Sequence, residues 1–140
     1  MITSIDTTVI VALWDRDPAL SLAAQSALEA ALTHGGLVVS APVFAELMAA
    51  SGRSQTFLNS FFQDTGIAIE WNLQEAIWRA AGQAFQKYAV RRRQKHASGP
   101  RRILADFLIG AHALGSGYRL LTLDDRLYRA AFPSLALIKV

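Results

Sequence analysis

Four of the eleven acidic residues, Asp6, Glu46, Asp106 and Asp124, stand where carboxylates could do chemistry. Asp6 closes the opening stretch MITSI, and Asp124 follows the apolar YRLLT. Glu46 lies within FAELMAA, and Asp106 is the lone acid of ILADFLIGAHAL. An isolated carboxylate in such surroundings costs several kcal/mol, a large share of the roughly 5–15 kcal/mol that keeps a domain folded. If the four meet at one edge of a sheet they repel one another, and raised pKa values report the strain. A cation between them removes it. All-oxygen ligation favours a hard divalent ion, either Mg²⁺, which takes few carboxylates and keeps several waters, or Mn²⁺. Such an ion lowers the pKa of a bound water and steadies the leaving oxygen of a phosphodiester.

Each acid also has a plainer reading. Asp6 before Thr7-Thr8, and Asp124 before a short helix, both suit a helix N-cap. Asp106 near a helix start is favoured by the macrodipole. Glu46, with almost wholly apolar neighbours, fits a solvated helix face least well. Asp125 reads as exposed and paired with Arg126 or Arg129. The histidines, His34, His96 and His112, show neither zinc spacing nor HExxH. His112 lies six residues past Asp106, which on a helix points away from it. No GxGxxG, P-loop or GxSxG is present, which disfavours nucleotide cofactors and serine hydrolysis. Trp14, Trp71 and Trp78 read as core or interface rather than as base-stacking platforms.

The elements that must carry these acids follow from periodicity. MITSI, LVVS, IAIE, YRLLT and LALIKV read as five short strands. Between them lie helical segments: TTVIVALW, Pro18 to Leu32, APVFAELMAA, a stretch through Phe57, Leu58, Phe61 and Phe62, and a long helix with Ile77, Ala81, Ala84, Phe85 and Tyr88 on one stripe. ILADFLIGAHAL and a short helix between the last two strands complete the set. Strands alternating with helices predict a mostly parallel five-stranded sheet in a three-layer α/β/α domain. In such sheets ligands bind beyond the carboxyl ends of strands, where strand order reverses. Asp6, Asp106 and Asp124 can reach that edge, and Glu46 can point back to it.

Composition agrees with one domain spanning residues 1–140, with no signal peptide and no membrane span. The chain has no cysteine, which fits a reducing cytoplasm. Net charge is +3, but RRRQKHASGPRR concentrates Arg91, Arg92, Arg93, Lys95, Arg101 and Arg102 without an acid. Taken alone such a block is more often a solvated helix end; beside an acidic metal site it could grip the phosphates of RNA.

ITSIDTTVIVAL, SAPVFAELMAA, ILADFLIGAHAL and YRLLTLDDRLYRAAFPSLALI together resemble the PIN domain, in particular the VapC-type toxins of bacterial toxin–antitoxin pairs. The likeness covers essentially the whole chain, and the pairing of LADFLIGAHA with LLTLDDRLYRAAFP is its most specific part. The resemblance implies a PIN-like fold with the first strand central. It also implies a Mg²⁺- or Mn²⁺-dependent endoribonuclease whose four acids are Asp6, Glu46, Asp106 and Asp124, with Asp124 preferred over Asp125 for its threonine-x-acid spacing. Thr122 falls at a position that often assists the acid, and Thr7 is placed to hydrogen-bond near Asp6. Many relatives carry Asn or Ser where Thr8 stands. A VapC-like chain further implies a cognate antitoxin and a homodimer, with the Phe57–Phe62 segment and the helix after Pro18 as candidate contacts. Two other readings stand beside it. One is a non-catalytic module of the same fold that binds RNA or a regulator. The other is phosphotransfer, which wants a second acid near Asp6 where the chain has Thr8.

Overall fold

Short strands that are apolar on both faces require a sheet covered on both sides. The computed structural model describes residues 1–50, 52–96 and 102–140. Its strands are β1 (Thr3–Ile5), β2 (Leu37–Ser40), β3 (Ala68–Glu70), β4 (Arg119–Thr122) and β5 (Leu137–Lys139). They pair in parallel throughout, in the order β3-β2-β1-β4-β5. The helices are α1 (Thr7–Leu13), α2 (Pro18–Leu32), α3 (Ala41–Met48), α4 (Gln55–Thr65), α5 (Glu75–Gln94), α6 (Leu104–Ser116) and α7 (Arg126–Ala131). The result is the α/β/α arrangement that the sequence rhythm predicts, here wholly parallel. Ile5, Val39, Leu120 and Leu121 lie at its centre with no exposed surface.

Strand β1 is central. The chain builds outward from it through β2 and β3, then crosses to the other side for β4 and β5. Strand order therefore reverses at β1, and the carboxyl end of β1 opens onto the switch-point crevice. Register places Ile5 opposite Leu121, so the next residues along, Asp6 and Thr122, are neighbours at that rim.

Local signals set the helix ends. Asp17 accepts the Ala19 N–H at 3.0 Å with Pro18 in the first turn, so α2 starts where the sequence breaks. Helix α6 stops at Gly117, whose φ of 74° is the left-handed conformation that glycine adopts without steric cost. Gly110, inside the same helix, has another reason to be glycine. A Cβ there would collide with the Phe132 ring edge and lie 3.1 Å from Tyr128 Cδ1. Gly110→Ala is therefore expected to cost about 1–3 kcal/mol through overpacking, read as a lower urea midpoint. An unchanged midpoint would show that the Phe132 ring yields freely.

Among the described residues no helix is long and apolar enough to cross a membrane. Trp14 packs on the core and meets Phe57 and Phe61 edge-on, with ring centroids 5.4 and 5.1 Å away. Trp71 and Trp78 depart from the core reading. They are 58% and 51% exposed: Trp78 lies off the inward stripe of α5, which is Ile77, Ala81 and Ala84, and Trp71 lies in the connection between β3 and α5.

Candidate active site

Asp6 is the first residue beyond β1 and is almost fully buried. Its backbone N–H still belongs to the sheet, donating to Leu121 O at 2.9 Å. It occupies the N-cap position of α1, yet its side chain makes no capping bond. Instead the Thr122 hydroxyl donates to Asp6 Oδ2 at 2.7 Å, and the Thr8 hydroxyl reaches the same oxygen at 3.2 Å. Thr122 Oγ1 in turn accepts the Asp124 N–H at 3.2 Å. One threonine at the end of β4 thus fixes both the Asp6 carboxylate and the backbone that carries Asp124, which explains the threonine-x-acid spacing.

Glu46 projects from α3, and the Thr7 hydroxyl donates to its Oε1 at 2.6 Å. Thr7 thus serves both acids, its hydroxyl bonding Glu46 and its backbone N–H acting on Asp6. Asp106 lies in the first turn of α6, half-buried. Asp6, Glu46 and Asp106 line one pocket of about 340 Å³, with Thr7, Thr8 and Asp15 at its polar wall and Val11, Ala12, Leu20 and Leu123 at its apolar wall. Asp15 carries no sequence signal; it enters because α1 ends beside the same opening.

The electrostatics of the pocket are those of crowded acids. Burial pushes the Asp6 carboxyl up, partly offset by the threonine hydrogen bonds. Burial raises Glu46 and Asp106 too, and each is raised further by the other acids of the pocket. The Tyr128 hydroxyl is buried near these three acids with no well-formed hydrogen bond of its own. Burial and the negative charge of Asp6, Asp106 and Glu46 drive its pKa far up, so it remains a neutral phenol.

Asp124 differs. It lies outside that pocket, held by Arg102, whose Nη2 donates to Asp124 Oδ2 at 2.9 Å, and this pairing lowers its pKa. Its Oδ1 accepts the Arg126 N–H at 3.2 Å, so the capping reading of this acid holds in part. Its charge is still felt at Asp106. Asp125 pairs with Arg129 at 2.6 Å as the sequence suggests, but the residue is buried rather than exposed. The pairing with Arg129 and the nearby Lys139 lower its pKa.

In the basic block, Arg91, Arg92 and Arg93 form the last turn of α5 and Lys95 follows as its C-cap. Arg101 lies outside the described residues. Arg102 leads into α6, and its backbone N–H donates to Tyr88 Oη at 2.8 Å. Tyr88 is one turn before Arg92 on α5, so the basic end of that helix is joined to the acidic rim.

Three carboxylates and hydroxyl oxygens around one pocket are a donor set suited to a hard divalent ion. Their mutual charge is the imbalance that such an ion would relieve. Among the described residues no three acidic or histidine side chains form a finished ligand set, so waters or side-chain movement would have to complete the coordination. A larger cavity, about 610 Å³, adjoins β3 and α6. There Glu70 is bridged by His112 Nε2 at 2.7 Å and the Tyr118 hydroxyl at 2.8 Å. Its carboxylate is already satisfied, so the smaller acidic pocket is the better candidate for chemistry.

Comparison with known proteins gives the family and the fold. The PIN domain family matches residues 4–133. No curated protein matches the sequence. A chain of VapBC2 from Rickettsia felis, solved bound to a DNA fragment from its promoter, is similar at a TM-score of 0.65 and 19% identity, covering 100% of this chain and 99% of that one. A toxin–antitoxin complex from Klebsiella pneumoniae gives a TM-score of 0.66 and 18% identity, covering 99% of both chains. FitAcB from Neisseria gonorrhoeae gives 0.64 and 21%, covering 99% of this chain and 97% of that one. At such identities the likeness to these structures is one of fold.

Proposed function

The chain belongs to the PIN domain family, and from that membership we propose that it is a Mg²⁺- or Mn²⁺-dependent endoribonuclease, the toxin of a toxin–antitoxin pair. The observation that carries the reading is the convergence of Asp6, Glu46 and Asp106 on one pocket at the switch point, each raised in pKa by burial. The likeness to chains of toxin–antitoxin complexes supports a cognate antitoxin as partner. A cytoplasmic, homodimeric toxin acting on RNA completes the proposal.

When bound, the divalent ion would supply charge neutralisation and a more acidic water. Asp6, Glu46 and Asp106 would hold it, with Asp124 as the fourth acid at the rim. Thr122 and Thr8 orient the Asp6 carboxylate, and Thr7 orients that of Glu46. The reaction is hydrolysis: a water oxygen bonds to phosphorus while the P–O3′ bond breaks. It leaves a 5′-phosphate and a 3′-hydroxyl and needs no 2′-hydroxyl nucleophile.

Incubating the full chain with structured RNA, with Mg²⁺ or Mn²⁺ and with chelator, tests the activity. The expected result is cleavage only in the metal-replete lanes, with 5′-phosphorylated products. Mn²⁺ titration separates this from the non-catalytic module of the same fold, which would bind none at millimolar levels.

Arg91, Arg93 and Lys95 are exposed at the C-terminal end of α5, and RNA would track along them. Single strands lose about 0.7 in the slope of log K against log salt for each phosphate contact removed. Replacing these three by Gln is expected to reduce that slope by up to about 2, measured by fluorescence anisotropy with a labelled oligonucleotide across a salt series. An unaltered slope would place the RNA elsewhere.

A further inference from the structure

The fourth acid is already engaged by a cation belonging to the chain. Arg102 Nη2 lies 2.9 Å from Asp124 Oδ2, with the two side chains 39% and 38% exposed. Arg126, the other cation at this carboxylate, stands 3.8 Å away on a side chain that is 91% exposed, so it holds Asp124 far less firmly. Arg102 is anchored from behind by its backbone bond to Tyr88, which sets where the guanidinium starts. Asp6, Glu46 and Asp106 line the pocket, and Asp124 does not.

Resting on the nuclease reading above, we propose that Arg102 is a positioning residue that competes with the divalent ion for Asp124. In the metal-free protein the guanidinium holds the fourth carboxylate at the rim. Metal binding must displace it before Asp124 can join the other three acids. The guanidinium thus sits directly on the fourth carboxylate, at the rim. This separates Arg102 from the remainder of the basic block: its first partner is a carboxylate of the site, and contact with RNA phosphate would come only after release.

Calorimetric titration of Mn²⁺ into the metal-free full chain tests this, using the parent, Arg102→Gln, Asp124→Asn and the double variant as a cycle. Partly exposed ion pairs are weak, so removing the competitor is expected to tighten Mn²⁺ binding by about two- to five-fold. Arg102→Lys, which keeps the charge, is expected to stay nearer the parent. In the Asp124→Asn background Arg102→Gln is expected to change nothing. Equal tightening in both backgrounds would mean a general effect of removing a positive charge, and would overturn the proposal. So would an unchanged affinity in Arg102→Gln. A parent that binds Mn²⁺ but ignores Arg102 sinks this inference alone; a parent that binds no Mn²⁺ at millimolar levels sinks the nuclease reading with it.

Discussion

Asp106→Asn is expected to leave a folded chain whose RNA cleavage falls at least about 100-fold, and Asp6→Asn to do the same. The magnitude follows from what lesser perturbations cost. Loss of a group that merely orients a metal ligand lowers metal affinity or activity about 10–100-fold, and a ligand matters more than its support. Asn keeps the shape of Asp and one of its oxygens, so packing around Asp6 and in the first turn of α6 is preserved while a charge disappears. Thr122→Val falls in the lower range. It keeps the volume at the end of β4 but removes the 2.7 Å hydroxyl bond to Asp6 and the acceptor for the Asp124 N–H. Asp125→Asn serves as the contrast, because that carboxylate faces Arg129, and its cleavage rate is expected to stay close to the parent. Rates are measured on a fluorogenic RNA with saturating Mn²⁺, with circular dichroism confirming the fold. Asp6→Asn and Asp106→Asn proteins that cleave as fast as the parent would remove the site assignment, whatever the family.

Why some of this was readable in sequence and some was not comes down to range. Strand β1 ends at an acid, so the position of Asp6 at the sheet edge is a local fact, as is the Gly117 stop that bounds α6. Parallel strand order is nearly forced by the alternation of strands and helices, and the central place of β1 came from the family resemblance. The partners are another matter. Thr7 bonds to Glu46 across 39 residues of chain, and Arg102 to Asp124 across 22. Neither pairing has a periodic signature, and proximity in sequence pointed Thr7 at Asp6, which its backbone serves, but gave no sign of Glu46, which its hydroxyl serves. Tyr128 carried no signal in the sequence, yet its hydroxyl is buried near three acids because α7 folds back against α6 at Gly110. Asp125 read as surface because it is charged. In the fold, Arg129 one turn later covers it. Trp71 and Trp78 read as core or interface because they are large and apolar. Their exposure shows that size alone does not assign a side chain to the core.

The crowded acids also make the metal-free protein less stable at neutral pH than it is under mild acid, and this is the second large expected effect. The sign follows from linkage. Asp6, Glu46 and Asp106 have folded pKa values above their ordinary values of 3.8, 4.5 and 3.8, so the native state binds more protons than the unfolded chain between those values and the raised ones. Stability therefore falls as pH rises through that window and stays low above it. Asp124 and Asp125 run the other way. Their folded values are lowered by arginine partners, so their contribution is present above 3.8 and lost as pH falls below it. The two effects occupy separate windows and can be read apart. Thermal unfolding of the metal-free parent is expected to give a higher midpoint near pH 5 than near pH 7.5, and Asp106→Asn should narrow that gap by raising the pH 7.5 value. Mn²⁺ at about 100 times its dissociation constant adds about 2.7 kcal/mol to the parent, or about 8–10 °C for a chain of this size, and far less to Asp106→Asn. An enzyme variant that is dead yet more stable without metal is the signature of a carboxylate held against its preference for the sake of a bound cation. A metal-free Asp106→Asn protein less stable than the parent at pH 7.5 would mean instead that Asp106 supports the first turn of α6 and that no strain is stored in the pocket.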